Sequence, residues 1–194
     1  PIPRVFGQTK GAAVNTWFPH EKLRAPDGDL ILSAKSALAV DYESGEILLS
    51  HNYKSQLPVA STAKIMAALV ALENLNPATE LEVLEKAATV GENSMGLTAG
   101  EKLTVEELLY GLMLVSGNDA AVVLAEGVAG SEGNFVDMMN RKARDLGLSD
   151  TKFVNATGLD VDENNSYSTA YDMAVIAHYT WENFPIFRKI SSTA

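Results

Sequence analysis

The chain has 194 residues, 46% hydrophobic and 21% charged, with a mean hydropathy of +0.01, a composition typical of one globular domain. Its 25 acidic residues outnumber 15 basic ones, for a formal net charge of −10, and no basic face is evident, which argues against a nucleic-acid partner. The absence of cysteine excludes disulfides and thiolate-bound metals, and no apolar stretch approaches the length of a membrane span.

In chain order, residues 1 to about 29 hold Pro1, Pro3, Pro19 and Pro26 and read as an N-terminal extension, packed on the domain or partly mobile, with Trp17 and Phe18 as candidate anchors. Leu30–Val40 and Glu46–Ser50 read as two strands. Asp41 to Gly45 forms the hairpin turn between them, with Gly45 at a position that requires positive φ. Ser50-His51-Asn52 reads as the turn that leaves the hairpin. Pro58 to Glu73 is rich in Ala, Leu and Met, with a proline near its start, and predicts a helix. Residues 77–90 mix helix and strand tendencies. From Thr104 to about Leu146 the pattern is helical, opened by a Thr104/Glu107 capping box and broken at Ser116-Gly117-Asn118 and near Gly130-Ser131. Phe153-Val154 reads as a short strand. Ser168 to about Trp181 reads as a further helix, capped by Ser168 or Thr169.

Ser61-Thr62-Ala63-Lys64 opens the first helix. Residues three apart share a helix face, so the Ser61 hydroxyl and the Lys64 amine are expected to face the same space. A serine hydroxyl is a poor nucleophile until a base takes its proton. A lysine serves as that base only when neutral, which near pH 7 requires its pKa to fall by roughly three from about 10.4. Burial and the positive field of a helix start both act in that direction, and Ile65, Met66 and Ala68 are candidates for the apolar wall. Ser-x-x-Lys alone is a weak signal. A second copy, Ser149-Asp150-Thr151-Lys152, lies between a helix end and a strand and is set aside, because its two side chains would share no helix face.

The second candidate constellation is Ser116-Gly117-Asn118. A hydroxyl and a carboxamide between two apolar helices need hydrogen-bonding partners. They fit either a helix–helix corner capped by Ser116 or Asn118 or a polar cluster in a site.

With both motifs in this order, the chain resembles the penicillin-binding D-alanyl-D-alanine carboxypeptidases, relatives of the serine β-lactamases. The resemblance extends over Val59 to Glu73, Ser94 to Leu112, Ser116 to Gly130, Phe135 to Leu148, Gly158-Leu159-Asp160 and Ser168 to Ala174. It implies an α/β sandwich of β-lactamase/transpeptidase type, with a helical subdomain and the N-terminal hairpin of an antiparallel sheet. Residues 30–194 would form the N-terminal part of the catalytic domain and residues 1–29 its extension. By the same resemblance, Ser61 would attack the carbonyl of a terminal D-Ala-D-Ala bond and Lys64 would accept its proton. Ser116 would relay a proton to the leaving amine, and Asn118 would hold the lysine and a substrate amide. The implied partners are the peptidoglycan D-Ala-D-Ala peptide and, as inhibitors, β-lactams. No cofactor or metal is implied. The implied location is extracytoplasmic, with any membrane anchor outside these residues.

The family's third motif, Lys-Thr-Gly, does not occur in the sequence. Ala156-Thr157-Gly158 lacks the cation and belongs to another family segment. The strand that carries the third motif binds the substrate carboxylate and supplies one oxyanion amide, and loss of such a donor costs about 2.7–4 kcal/mol. The expectation is therefore an incomplete site and unfinished sheet, completed by a complementary C-terminal segment carrying Lys-Thr-Gly that is either a separate chain or a continuation of this one; the remaining reading is a true truncation acting as a non-catalytic relative, against which the retention of Ser61, Lys64, Ser116 and Asn118 weighs. Without that segment, the sheet would leave an open edge and the chain would be unstable.

The alternatives are a serine β-lactamase, an endopeptidase cutting cross-links, or a non-catalytic peptidoglycan-binding or sensor protein. Ser-Gly-Asn in place of Ser-Asp-Asn and the carboxypeptidase-like segments weigh against the lactamase. His20, His51 and His178 are scattered without metal-ligand spacing. Asp160 to Asn165 resembles the start of a calcium loop but lacks its central glycine and closing Glu, and reads as a solvated loop.

Overall fold

In the computed structural model, residues 17–21, 32–159 and 166–193 are described. The first layer is a small sheet of β1 (His20–Glu21), β2 (Ala37–Val40) and β3 (Glu46–His51), in the order β1-β3-β2. β2 and β3 form the expected antiparallel hairpin, with Ala37 opposite His51 and a register shift between Ala39 and Val40. The turn is set by chemistry local to it. Asp41 Oδ1 accepts from Ser44 N at 2.8 Å, and Gly45 takes φ +79°, a conformation only glycine adopts without strain.

The first strand is shorter than expected. Leu30 and Ile31 lie outside the described residues, and 32–36 form no strand. Here side chains take up backbone groups that a ladder would use: Ser36 Oγ donates to Asn52 O at 3.0 Å and Asn52 Nδ2 to Lys35 O at 3.2 Å. Such local bonding competes with strand pairing. Trp17 does act as an anchor, stacked on His178 at 3.8 Å with its Nε1 donating to Tyr42 O at 2.9 Å.

The helical layer follows the apolar patterning closely. α1 (Ala63–Asn74) and α4 (Asn118–Ala129) are buried nearly all round over Met66–Leu72 and Asn118–Ala125, the signature of core helices. α4 packs against α1, α3 (Val105–Leu114) and α5 (Glu132–Asp145). α5 is amphipathic and buries Phe135, Met139 and Ala143, one stripe at four-residue spacing. The Thr104/Glu107 capping box forms, and Ser131 caps α5.

Two short ribbons pin the helices. β4 (Leu57–Pro58) pairs with β7 (Tyr167–Ser168) just before the entry to α6 (Ala170–Asn183), which is capped by Thr169. β5 (Glu80–Glu82) pairs with β6 (Lys102–Thr104), so residues 77–90 resolve into a strand and the short α2 (Glu85–Ala88). α7 (Pro185–Ser191) closes the described chain against α3 and α6.

The strand expected at Phe153-Val154 does not form. Phe153 N donates to Asn140 Oδ1 at 2.8 Å and Val154 N to Ser166 Oγ at 3.1 Å, so side chains, not a neighbouring strand, satisfy the backbone. The set-aside Ser149–Lys152 copy lies in this loop, where Lys152 makes only a bridge to Tyr167.

Among the described residues no helix is long and apolar enough to cross a membrane. Among them β2 is also an edge strand, and an apolar groove of about 540 Å³ lies beside it, lined by Leu38, Val40, Ala174, Ala177 and Trp181.

Because Phe135 is fully buried in the hydrophobic core, Phe135→Ala is expected to cost about 3–5 kcal/mol, measured as a lower urea midpoint at unchanged slope.

Candidate active site

The segment before α1 carries the first candidate residue. Val59 N donates to Ser166 O at 3.3 Å, which holds the chain beside β7. Residues Ala60–Thr62 then form a single tight 3-10 turn before α1 begins at Ala63. Ser61 therefore sits on this turn, and Lys64 is the second residue of α1. The predicted proximity survives the tighter winding, since residues three apart eclipse in a 3-10 turn.

Lys64 is 2% exposed, whereas Ser61 is open to solvent. The Lys64 Nζ lies 3.1 Å from Ser61 Oγ and donates to the Thr157 carbonyl oxygen at 2.8 Å. Burial pushes the amine down to about 8, against the opposing field of Glu92. An ammonium loses hydration on burial while the neutral amine loses little, which gives the shift its sign.

Ser116 and Asn118 lie where α3 ends and α4 begins, at the break the sequence marks. Neither serves as the cap considered for this corner: the N-cap of α4 is Gly117, with no side-chain cap bond. Ser116 has φ +58°. Its Oγ and the Asn118 Oδ1 are buried without a hydrogen-bond partner among the described residues. Asn118 Nδ2 donates to Gly91 O at 3.1 Å, and Asn118 N to Asn93 O at 2.8 Å. The structure thus joins Ser61 and Lys64 directly but shows no hydrogen bond from Asn118 or Ser116 to either. The link between the two pairs is the loop at 91–93, which holds Asn118 through Gly91 and Asn93 while Glu92 acts on Lys64.

Two further groups shape the site, and sequence reasoning missed both. Asp119, buried beside Asn118, accepts from Ser94 Oγ at 2.6 Å and from the backbone N–H groups of Met95, Gly96 and Leu97 at 3.0, 3.0 and 3.1 Å. Burial alone would raise its pKa, but the Ser94 hydroxyl and the backbone donors hold it below the ordinary carboxylate value. The other group is the turn at Asn155–Leu159, whose Thr157 carbonyl holds Lys64. Gly158 in this turn has φ +79°, and a Cβ there would lie 1.8 Å from the Ala60 carbonyl oxygen. Asn155-Ala156-Thr157-Gly158 carries a legible signal, an Asn that can fold a turn three residues before a glycine. Its proximity to Lys64 is a long-range fact that local pattern cannot supply.

No group of three or more His, Asp or Glu able to hold a metal occurs among the described residues. His178 is stacked on Trp17 and lies tilted at 45° to Tyr42, with ring centroids 4.8 Å apart.

The sequence profile of the peptidase S11 family, described as D-alanyl-D-alanine carboxypeptidase, matches residues 22–193. The chain belongs to the D-alanyl-D-alanine carboxypeptidase family. It is 42% identical over 154 residues to the D-alanyl-D-alanine carboxypeptidase DacF of Bacillus subtilis, covering 77% of this chain and 39% of that protein. The crystal structure of the carboxypeptidase DacD from Francisella tularensis superposes with a TM-score of 0.81 at 36% identity, covering 87% of this chain and 41% of that one. Penicillin-binding protein 6B from Escherichia coli superposes at 0.76 with 32% identity, covering 88% and 57%. These neighbours bear out the β-lactamase/transpeptidase-like α/β fold. The chain spans about two-fifths to three-fifths of the length of these relatives.

Asp119→Ala would remove the shared acceptor of five donors around one buried point and is expected to cost roughly 3 kcal/mol, with faster amide exchange at Met95 and Leu97. The pH dependence has a fixed sign. A carboxylate held below its unfolded pKa of about 3.9 contributes fully above that value and loses its contribution as pH falls through the folded one. An Asp119→Asn chain should therefore show a shallower acid limb in a urea-midpoint series from pH 5 to pH 2.

Proposed function

We propose that this chain carries the nucleophilic half of a serine-type D-alanyl-D-alanine carboxypeptidase. The observation that carries the reading is the buried, deprotonation-prone Lys64 amine 3.1 Å from Ser61 Oγ. Family membership supplies the substrate class, the D-Ala-D-Ala end of a peptidoglycan stem peptide.

The chemistry is acyl transfer. Ser61 Oγ attacks the carbonyl carbon of the penultimate D-Ala while its proton passes to Lys64 Nζ, the positioned base. Negative charge collects on the carbonyl oxygen. The Ser61 N–H, among the amides that a helix start leaves without an internal acceptor, is one donor placed to meet it. Collapse breaks the C–N bond, and Ser116 relays the proton held on Lys64 to the leaving D-Ala amine, giving up its own hydroxyl proton and taking that of the lysine, so that Lys64 is neutral again. Water then attacks the Ser61 ester, its proton taken by Lys64 and returned to Ser61 Oγ as the ester C–O bond breaks and the shortened peptide leaves. Asn118 offers its unpartnered Oδ1 to a substrate N–H. β-Lactams enter the same path, since ring opening acylates Ser61.

Residues 30–194 are assigned to the N-terminal part of the catalytic domain and residues 1–29 to its extension. A complementary C-terminal segment carrying Lys-Thr-Gly completes the site. The edge position of β2 and the absence of that tripeptide from the 194 residues support this assignment. The peptidoglycan substrate places the activity outside the cytoplasm. The Ser-Gly-Asn corner and family membership give the β-lactamase alternative no support.

The test is a fluorescent penicillin followed by a D-Ala-D-Ala peptide, with the chain alone and with a Lys-Thr-Gly-bearing segment supplied. Stable labelling that maps to Ser61, together with D-Ala release, is the expected result, and Ser61→Ala should remove both. Lys64→Arg should slow acylation by about 10²–10⁴-fold. The acylation rate should rise with pH up to about 8, where the Lys64 amine loses its proton. No labelling with the segment present would overturn the reading, and rapid turnover of the penicillin would point to a lactamase.

A further inference from the structure

We propose that Asn155 is a positioning residue for the Ser61/Lys64 pair: its carboxamide folds the turn that aims the Thr157 carbonyl at Lys64 and sets Gly158 against the Ala60–Ser61 peptide. The inference deepens the acyl-transfer reading and rests on it for its catalytic meaning, although its test does not.

Asn155 is 8% exposed and spends its side chain inside the turn. Oδ1 accepts from Gly158 N at 2.7 Å and from Thr157 Oγ1 at 3.2 Å, and Nδ2 donates to Leu159 O at 2.7 Å. Thr157 Oγ1 in turn accepts from Leu159 N at 3.2 Å. With these groups closed on one another, the Thr157 carbonyl points out of the turn and meets Lys64 Nζ at 2.8 Å.

The next residue makes the second contact. A Cβ on Gly158 would lie 1.8 Å from Ala60 O, 2.4 Å from Ala60 C and 3.1 Å from Ser61 N. The backbone of the turn therefore lies flush against the peptide that presents the nucleophile. One carboxamide thus fixes two things at once: the acceptor that orients the base, and the wall behind the serine.

Orientation matters because a neutral amine has two hydrogens and one lone pair. Committing one hydrogen to Thr157 O limits how the lone pair can turn, and Ser61 Oγ stands 3.1 Å away on the same nitrogen. The turn also helps to keep water from the amine, whose burial is the main cause of its lowered pKa, while Glu92 is the charged group acting on it in the opposite sense. A loosened turn would admit water, and the amine would recover its proton affinity.

The direct readout is Lys64 itself, titrated through its side-chain 13Cε and 15Nζ signals in the folded chain, with Lys64→Arg for assignment. Asn155→Ala should retain helical circular dichroism and raise the Lys64 midpoint by about one pH unit or more towards the free value of about 10.4. Thr157→Val, which removes only the hydroxyl bridge, should raise it less and in the same direction. Where penicillin labelling of Ser61 is observed, its pH limb should move in parallel, and the labelling rate at pH 7 should fall about tenfold when the midpoint rises by one. A folded Asn155→Ala chain with an unchanged Lys64 midpoint overturns the proposal, even if its melting temperature falls, because a purely structural asparagine would do only that. If Asn155→Ala does not fold, an unchanged midpoint in Thr157→Val overturns it. Absence of penicillin labelling would count against the carboxypeptidase reading and leave this readout intact.

Discussion

The constraint on which the site depends is the burial of one amine. Lys64 lies 2% exposed near the start of α1, and the field of a protein interior penalises its charged form. An unfolded lysine keeps its proton up to about pH 10.4, whereas the folded one releases it at about 8. Between those values the unfolded chain binds more protons, so the folded state gains as pH rises, and below about 8 the burial cost is carried in full. The same asymmetry that destabilises the fold at neutral pH makes the lysine a usable base.

The apolar core makes that cost bearable. α1 and α4 are buried on almost every side and pack against each other, so the helix that bears the amine is anchored elsewhere along its length. The start of α4 separates two neighbouring polar residues by task. Asp119 is saturated with donors from Ser94 to Ala120 and ties that loop to the helix. Asn118 is fastened at its backbone and its Nδ2, which leaves Oδ1, like Ser116 Oγ, buried without a partner. Unpartnered buried oxygens are costly. Both sit at the one corner where α3 gives way to α4.

What the sequence made legible was local or periodic. The Ser61/Lys64 spacing, the Thr104/Glu107 capping box, the break at Ser116 to Asn118 and the Gly45 turn depend on residues within a few positions of one another, where propensity and spacing act. The shortfalls arose where distant or side-chain hydrogen bonds overrode local tendency. Asn52 diverts the start of the first strand. Asn140 and Ser166 take the amides of the strand expected at Phe153-Val154. The Thr157 carbonyl reaches Lys64 across 93 positions, a separation at which no local pattern operates. The bond from Asn118 Nδ2 to Gly91 O likewise spans 27 positions.

Backbone strain marks the same place independently of the motifs. Among the described residues four non-glycine positions have positive φ: Asn52, Ala60, Glu92 and Ser116. Asn52 closes a surface turn, a role asparagine tolerates. The other three all border the candidate site: Ala60 precedes Ser61, Glu92 acts on Lys64, and Ser116 opens the polar corner. Each such conformation costs of order 1–3 kcal/mol and persists only where the surroundings over-determine it. For Ala60 the surroundings are visible in Gly158, whose backbone lies where any side chain would collide with the Ala60 carbonyl. For Ser116 they are the adjoining Gly117, whose N–H reaches Gly111 O at 3.0 Å, and the helix that starts two residues on. Strain gathered on Ala60 beside Ser61, on Glu92 whose charge acts on Lys64, and on Ser116 at the corner tied to the same 91–93 loop through Asn118 is hard to account for by folding alone, since each could be relieved by glycine. It is accounted for if the geometry at Ser61, Glu92 and Ser116 is what the fold is built to hold.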